Sequence, residues 1–289
     1  MAASSLLDGL VPPQLGEMVA AAQGSALARR ARAHRDEALA SLTWGATSLP
    51  LRTRVPLASE PDAHLGLVLF EVARVLATEL AGDPSAALAA CPVTLAVAGA
   101  GGVPFLLPDG VVLADWALNP YCVLQRREAY RLFSSPLLHI NATHALSNLA
   151  AALPDAIQLE RSRGSAAVAF ELAGLAALAQ GGYVALAWAK KAALRDGADY
   201  YSSAAVGFSS IAFALKVVAG AEAPRGAAAS ALGFAVPSEW AWVLQLLLTH
   251  LAVPSSSFSG HMCGVVAGIL RAHVLGPLAR RMPATTPHM

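Results

Sequence analysis

The chain has 289 residues, 56% of them hydrophobic and only 13% charged, where ordinary soluble domains carry roughly 25% charged residues. That balance points to an integral membrane protein. The net charge is +1 and the 20 Lys and Arg residues form no run that could track a phosphate backbone, so nucleic-acid binding has no support. Cys91, Cys122 and Cys263 are unevenly spaced and suggest neither a disulfide framework nor a paired metal-ligand motif. They read as small packing residues.

Residues 1–85 form an amino-terminal region, expected to be partly disordered, with an arginine cluster (Arg29, Arg30, Arg32, Arg35) and scattered prolines. No apolar run there has the length of a signal-peptide core. Asp8, Glu17, Asp36 and Glu37 argue against an acid-poor transit peptide. Over 64–80 the apolar residues follow helical spacing and predict an amphipathic or interfacial helix.

Residues 86–278 carry six apolar stretches, each close to the roughly 20 residues that span a hydrocarbon core. They run over about 91–107, 137–159, 166–189, 203–221, 237–253 and 260–275, the first interrupted by Gly99, Gly101, Gly102 and Pro104. The expectation is an all-α polytopic membrane protein with six transmembrane helices, followed by a short tail at 279–289. The connection over 108–136, with Trp116, Tyr121, Tyr130 and three arginines, suits an element in the interface plane. The loop Pro254–Ser259 is short enough to force the fifth and sixth helices together as a hairpin. Lys and Arg counts favour a cytosolic amino terminus.

Polar side chains inside apolar stretches are costly and tend to be functional. Ser209, preceded by Gly207, opens the fourth stretch, and His261 follows Gly260 in the sixth. A hydroxyl and an imidazole are the minimal apparatus for acyl transfer. Gly260, Gly264 and Gly268 recur every four residues and would let the sixth helix approach the fourth closely, bringing His261 to Ser209. His144 and Asn148 share one helix face and could stabilise the negative oxygen of a tetrahedral intermediate, with the Ser209 amide as a further donor. His139 reads as structural. No Glu lies between histidines spaced four apart, so a zincin-type metal site is not indicated. Lys216 is expected to snorkel to the opposite interface. Glu239, Trp240 and His250 read as anchors at the ends of the fifth helix, and Glu160 to Ser165 as the turn after the second, stopped by Gly164.

With these residues assembled, the chain resembles the rhomboid intramembrane serine proteases. The resemblance covers about residues 90–278. It rests on His139, His144 and Asn148, on Glu160-Arg161-Ser-Arg-Gly164, on Gly207-Phe-Ser209 and on Gly260-His261-Met-Cys-Gly264. Within the family it is most similar to the endoplasmic-reticulum branch of rhomboid-related protein 4, through Val206 to Lys216, Gly233 to Ser238 and Ser257 to His261. The resemblance implies a six-helix core, Ser209 as nucleophile, His261 as general base and acid, and oxyanion stabilisation by His144, Asn148 and the Ser209 amide. It implies neither a metal nor a cofactor. Two departures stand out. Ser210 replaces the usual glycine and would crowd the oxyanion site, and the long amino-terminal region and short carboxyl-terminal tail differ from the branch.

The expected function is therefore an intramembrane serine endopeptidase in the lipid bilayer, acting on transmembrane protein substrates within or beside their spans. The endoplasmic reticulum is the expected location, with another organellar membrane as the alternative. The competing reading is a proteolytically inactive relative that binds membrane clients for extraction or trafficking. A transporter would show internal repeats and charges along a path, and neither is found. Loop 254–259 and the fifth helix are the candidate gate.

Overall fold

Seven helices of 12 to 25 residues carry the architecture in the described part of the chain. The structure is a computed structural model and describes residues 65–79, 81, 84–106, 113–231, 234–253 and 256–277. All of them belong to the unit that spans 50–289. The expectations for residues 1–64 and for the 279–289 tail lie outside the described residues. In chain order the helices are α1 (Leu65–Glu79), α2 (Pro92–Leu106), α3 (Ala142–Arg163), α4 (Ser165–Ala189), α5 (Ser209–Glu222), α6 (Ala241–Ala252) and α7 (Phe258–Leu270). Between α2 and α3, short helical turns occupy parts of residues 113–137. An antiparallel hairpin, β1 (Ala228–Ala231) on β2 (Phe234–Pro237), joins α5 to α6 with Ala229 opposite Val236.

Each of the six apolar stretches overlaps one of the helices α2 to α7, and only α2 and α6 lie wholly inside theirs. Only two helical runs among the described residues, Ser165–Leu194 and Phe258–Leu275, are long and apolar enough to cross a membrane by length and composition. The reason is partly geometric. At about 1.5 Å per residue, the 12 residues of α6 reach only about 18 Å of a hydrocarbon core of about 30 Å.

Local chemistry sets the helix ends. Asn141 caps α3, its side chain accepting from the His144 amide at 2.8 Å, and Ser257 caps α7 by accepting from the Gly260 amide at 3.1 Å. Gly164 ends α3 with a φ of 83°, a conformation that costs glycine little. The segment from Glu160 to Arg163, expected as a turn, is the last turn of α3. Both Glu160 carboxylate oxygens are spent there on the Val93 and Thr94 amides at 2.9 and 2.8 Å, capping α2.

Helix α5 lies at the centre and packs on α3, α4, α6 and α7. Its residues from Ser210 to Ala219 are all buried. The core is built from Ala152, Ala156 and Leu159 of α3, Val168, Leu172 and Leu175 of α4, Ile211, Leu215 and Val218 of α5, and Ala267 of α7. Gly264 and Gly268 place α7 directly on the α5 backbone. A Cβ at Gly264 would overlap the Ser210 carbonyl, and one at Gly268 would stand 2.7 Å from the Ala214 carbonyl oxygen. Gly260 faces its own cap, Ser257, so two of the three stripe glycines make the close approach.

Lys216 does not snorkel. Its Nζ stands 2.7 Å from Asp155 Oδ2 on α3, with both side chains under a tenth exposed. Glu171 of α4 draws together Arg163 at 3.0 Å and Arg271 at 2.7 Å, tying the ends of α3, α4 and α7. The cysteines are free; Cys91 and Cys122 are buried, and burial pushes the Cys122 thiol up, away from the reactive thiolate.

Candidate active site

Ser209 is the first residue of α5, and its position follows from the backbone before it. Gly207 has a φ of 114°, a region that L side chains rarely adopt. Its amide donates to the Ser135 carbonyl at 3.0 Å, and the Phe208 amide donates to His139 Nε2 at 3.4 Å. His139 thus holds the loop that delivers Ser209, in keeping with the structural role expected of it. No side chain caps the start of α5. The first backbone N–H groups of a helix have no intrahelical acceptor, so the Ser209 amide belongs to a set of unspent donors at the positive end of the helix dipole.

His261 sits in the first turn of α7, 5% exposed, and its Nε2 lies 3.0 Å from Ser209 Oγ. The close glycine contacts between α7 and α5 make that reach possible. Phe213, one turn beyond Ser209, packs against the His261 imidazole with ring centroids 4.8 Å apart. A hydroxyl paired with an imidazole at this distance is within range for proton transfer.

His144 and Asn148, in the first two turns of α3, flank Gly207. A Cβ there would fall 2.7 Å from His144 Nε2 and 3.1 Å from Asn148 Nδ2, so only glycine fits between them. The rings of His144 and His139 meet edge to face at 5.1 Å. Asn148 is 6% exposed, yet its Nδ2 has no hydrogen-bond partner among the described residues. A buried donor without a partner costs about 1–3 kcal/mol, and such a group at a reactive centre is available to a charge that develops there.

Ser210 does not crowd this space. Successive helical residues diverge by about 100°, and the Ser210 hydroxyl turns to α4, accepting from Gln180 Nε2 at 3.1 Å. The expectation of crowding is therefore corrected. So is the reading of His250 as an anchor. Its Nε2 lies 3.2 Å from His261 Nδ1, and its Nδ1 lies 3.1 Å from Ser256 Oγ. Sequence reasoning missed His250, Phe213 and Gln180. The signal for His250 was present: it lies near the end of α6 and His261 near the start of α7, separated by a connection of few residues. Among the described residues no three His, Cys, Asp or Glu side chains converge so as to hold a metal ion.

The Rhomboid domain family model matches residues 126–278, the span that holds Ser209, His261, His144 and Asn148. Rhomboid-like protein 14, mitochondrial, of Arabidopsis thaliana is 34% identical over 201 residues, covering 67% of this chain and 59% of that relative. Rhomboid-related protein 4 of Homo sapiens is 35% identical over 193 residues, covering 67% and 60%. The alignments thus span about 60% of the length of these relatives. No solved structure matches the chain. With a domain match over more than half of its sequence and relatives above 30% identity over two-thirds of it, the chain belongs to the Rhomboid family.

Proposed function

We propose that the chain is a serine endopeptidase of the membrane interior, with a six-transmembrane-helix rhomboid core and transmembrane proteins as substrates. The observation that carries this reading is the 3.0 Å pairing of Ser209 Oγ with His261 Nε2, with Asn148 Nδ2, which has no hydrogen-bond partner among the described residues, against Gly207 two residues before the serine. Ser209 Oγ attacks the scissile carbonyl carbon while its proton passes to His261 Nε2. The carbonyl oxygen becomes an oxyanion, met by Asn148, His144 and the Ser209 amide. Collapse breaks the C–N bond as His261 returns the proton to the leaving amine. Water, activated by the same imidazole, then hydrolyses the acyl-enzyme.

A substrate must present an extended backbone, because an intact helix keeps its carbonyls hydrogen-bonded. The reading therefore favours clients whose spans or span edges are locally unstable helices. The end of α6, through His250, and Ser257 at the start of α7 border His261, and the segment 254–259 together with α6 is the proposed entry gate. The endoplasmic reticulum, or another organellar membrane, is the proposed location.

Purified full-length protein in liposomes, given a reporter with one transmembrane span, is expected to cut inside the span or within a few residues of its edge. Mass measurement of both fragments locates the cut. A reporter left whole under conditions in which an active rhomboid protease cuts it would move the chain to the competing reading, a membrane-client-binding protein without proteolysis.

Asn148→Ala is expected to lower kcat by about 100- to 1,000-fold, the usual cost of one oxyanion donor, with KM little changed. Equal losses in substrate affinity and none in kcat would remove Asn148 from the oxyanion site.

A further inference from the structure

His261 has two ring nitrogens, and the proposed mechanism uses only Nε2. To accept the Ser209 proton, Nε2 must be bare, so the ring must carry its own proton on Nδ1. That nitrogen faces His250 Nε2 at 3.2 Å, and His250 Nδ1 faces Ser256 Oγ at 3.1 Å. No carboxylate hydrogen-bonds either imidazole among the described residues. Phe213 packs on the His261 ring and Phe258 on the His250 ring, at 4.8 and 5.2 Å, so neither ring turns freely.

The chain of contacts has two self-consistent polarities. In one, Ser209 donates to His261, His261 Nδ1–H donates to His250 Nε2, and His250 Nδ1–H donates to Ser256. In the other every bond is reversed, and His261 presents an N–H to Ser209 and cannot take its proton. We propose that His250 is the positioning residue of the site: in the first polarity its bare Nε2 accepts from His261 Nδ1–H, and so holds the tautomer and the orientation of His261 that proton transfer requires. This rests on the Ser209–His261 reading of the active site. As His261 takes the serine proton, its Nδ1–H bond to His250 becomes charge-assisted and strengthens, so the contact favours the transition state over the ground state.

Two substitutions separate this role from bulk. Gln at position 250 can present its side-chain oxygen near the place of Nε2 and still accept from His261, whereas Leu has similar volume and no acceptor. With the full-length protein and the single-span reporter, His250→Leu is expected to lower kcat on the order of 10- to 100-fold, the range seen for partners that orient metal-ligating histidines, with KM and melting temperature nearly unchanged. His250→Gln is expected to recover most of that loss. Nitrogen-15 spectra of histidine-labelled protein in micelles supply a readout independent of turnover. His261 should hold the Nδ1–H tautomer in wild type and His250→Gln, and populate both tautomers in His250→Leu. Unchanged kcat in His250→Leu, equal losses in both variants, or one tautomer in all three proteins would overturn the proposal. If the wild type cuts nothing, the protease reading fails, yet the spectra still decide whether His250 sets the tautomer.

Discussion

Ser209→Ala is expected to lower kcat/KM for the single-span reporter by about 10,000-fold or more, and His261→Ala by a similar factor, because the two groups act as one unit. The double variant is expected to be no worse than either single one. Once the hydroxyl is gone the imidazole has no proton to take, and once the imidazole is gone the hydroxyl is a weak nucleophile. The structural basis is the 3.0 Å contact between α5 and α7, which the glycine packing at Gly264 and Gly268 permits. Initial rates for the four proteins in the same liposomes check it. Additive losses, with the double variant lower than the wild type by the product of the two single factors, would mean that the two residues contribute separately.

The second large effect concerns stability. Lys216→Met is expected to destabilise the protein by about 3–5 kcal/mol, the cost of leaving one member of a buried ion pair uncompensated. Asp155→Leu should cost a similar amount, and combining the two should return most of the loss, since an apolar pair of similar volume often replaces a buried ion pair at little cost. The 2.7 Å contact and the burial of both side chains distinguish this pair from surface bridges, which contribute little. Thermal or denaturant unfolding in micelles reads the coupling. Single variants within about 0.5 kcal/mol of wild type, the range of ordinary surface changes, would contradict it.

That ion pair also shows how sequence legibility breaks down. Lys216 follows Ser209 by seven residues, and Asp155 follows Asn148 by seven. Helices α3 and α5 both begin near the candidate site, so equal steps of two turns along each bring Asp155 and Lys216 together. The spacing was visible, but the relation between the two helices was not, and Lys216 alone reads as a snorkelling cation. Ser209, His261, His144 and Asn148 were legible because each is a polar group inside an apolar stretch, where burial is costly. His250 sits at a helix end, where a polar residue is ordinary, and its meaning comes only from the ring it faces. Ser210 was legible as a departure but not in its consequence, since the direction of its side chain depends on where α5 begins. The helices themselves follow the six apolar stretches. Their ends do not, because caps such as Asn141 and Ser257 and the φ of Gly207 set them more locally than hydropathy can register.

The most direct measurement is peptide mapping after reaction of the full-length protein with a serine-directed fluorophosphonate, run beside Ser209→Ala and His261→Ala. The account predicts one adduct, on the peptide that carries Ser209, absent from Ser209→Ala and formed far more slowly in His261→Ala. An adduct on another serine, or a Ser209 adduct that forms equally fast without His261, would contradict it.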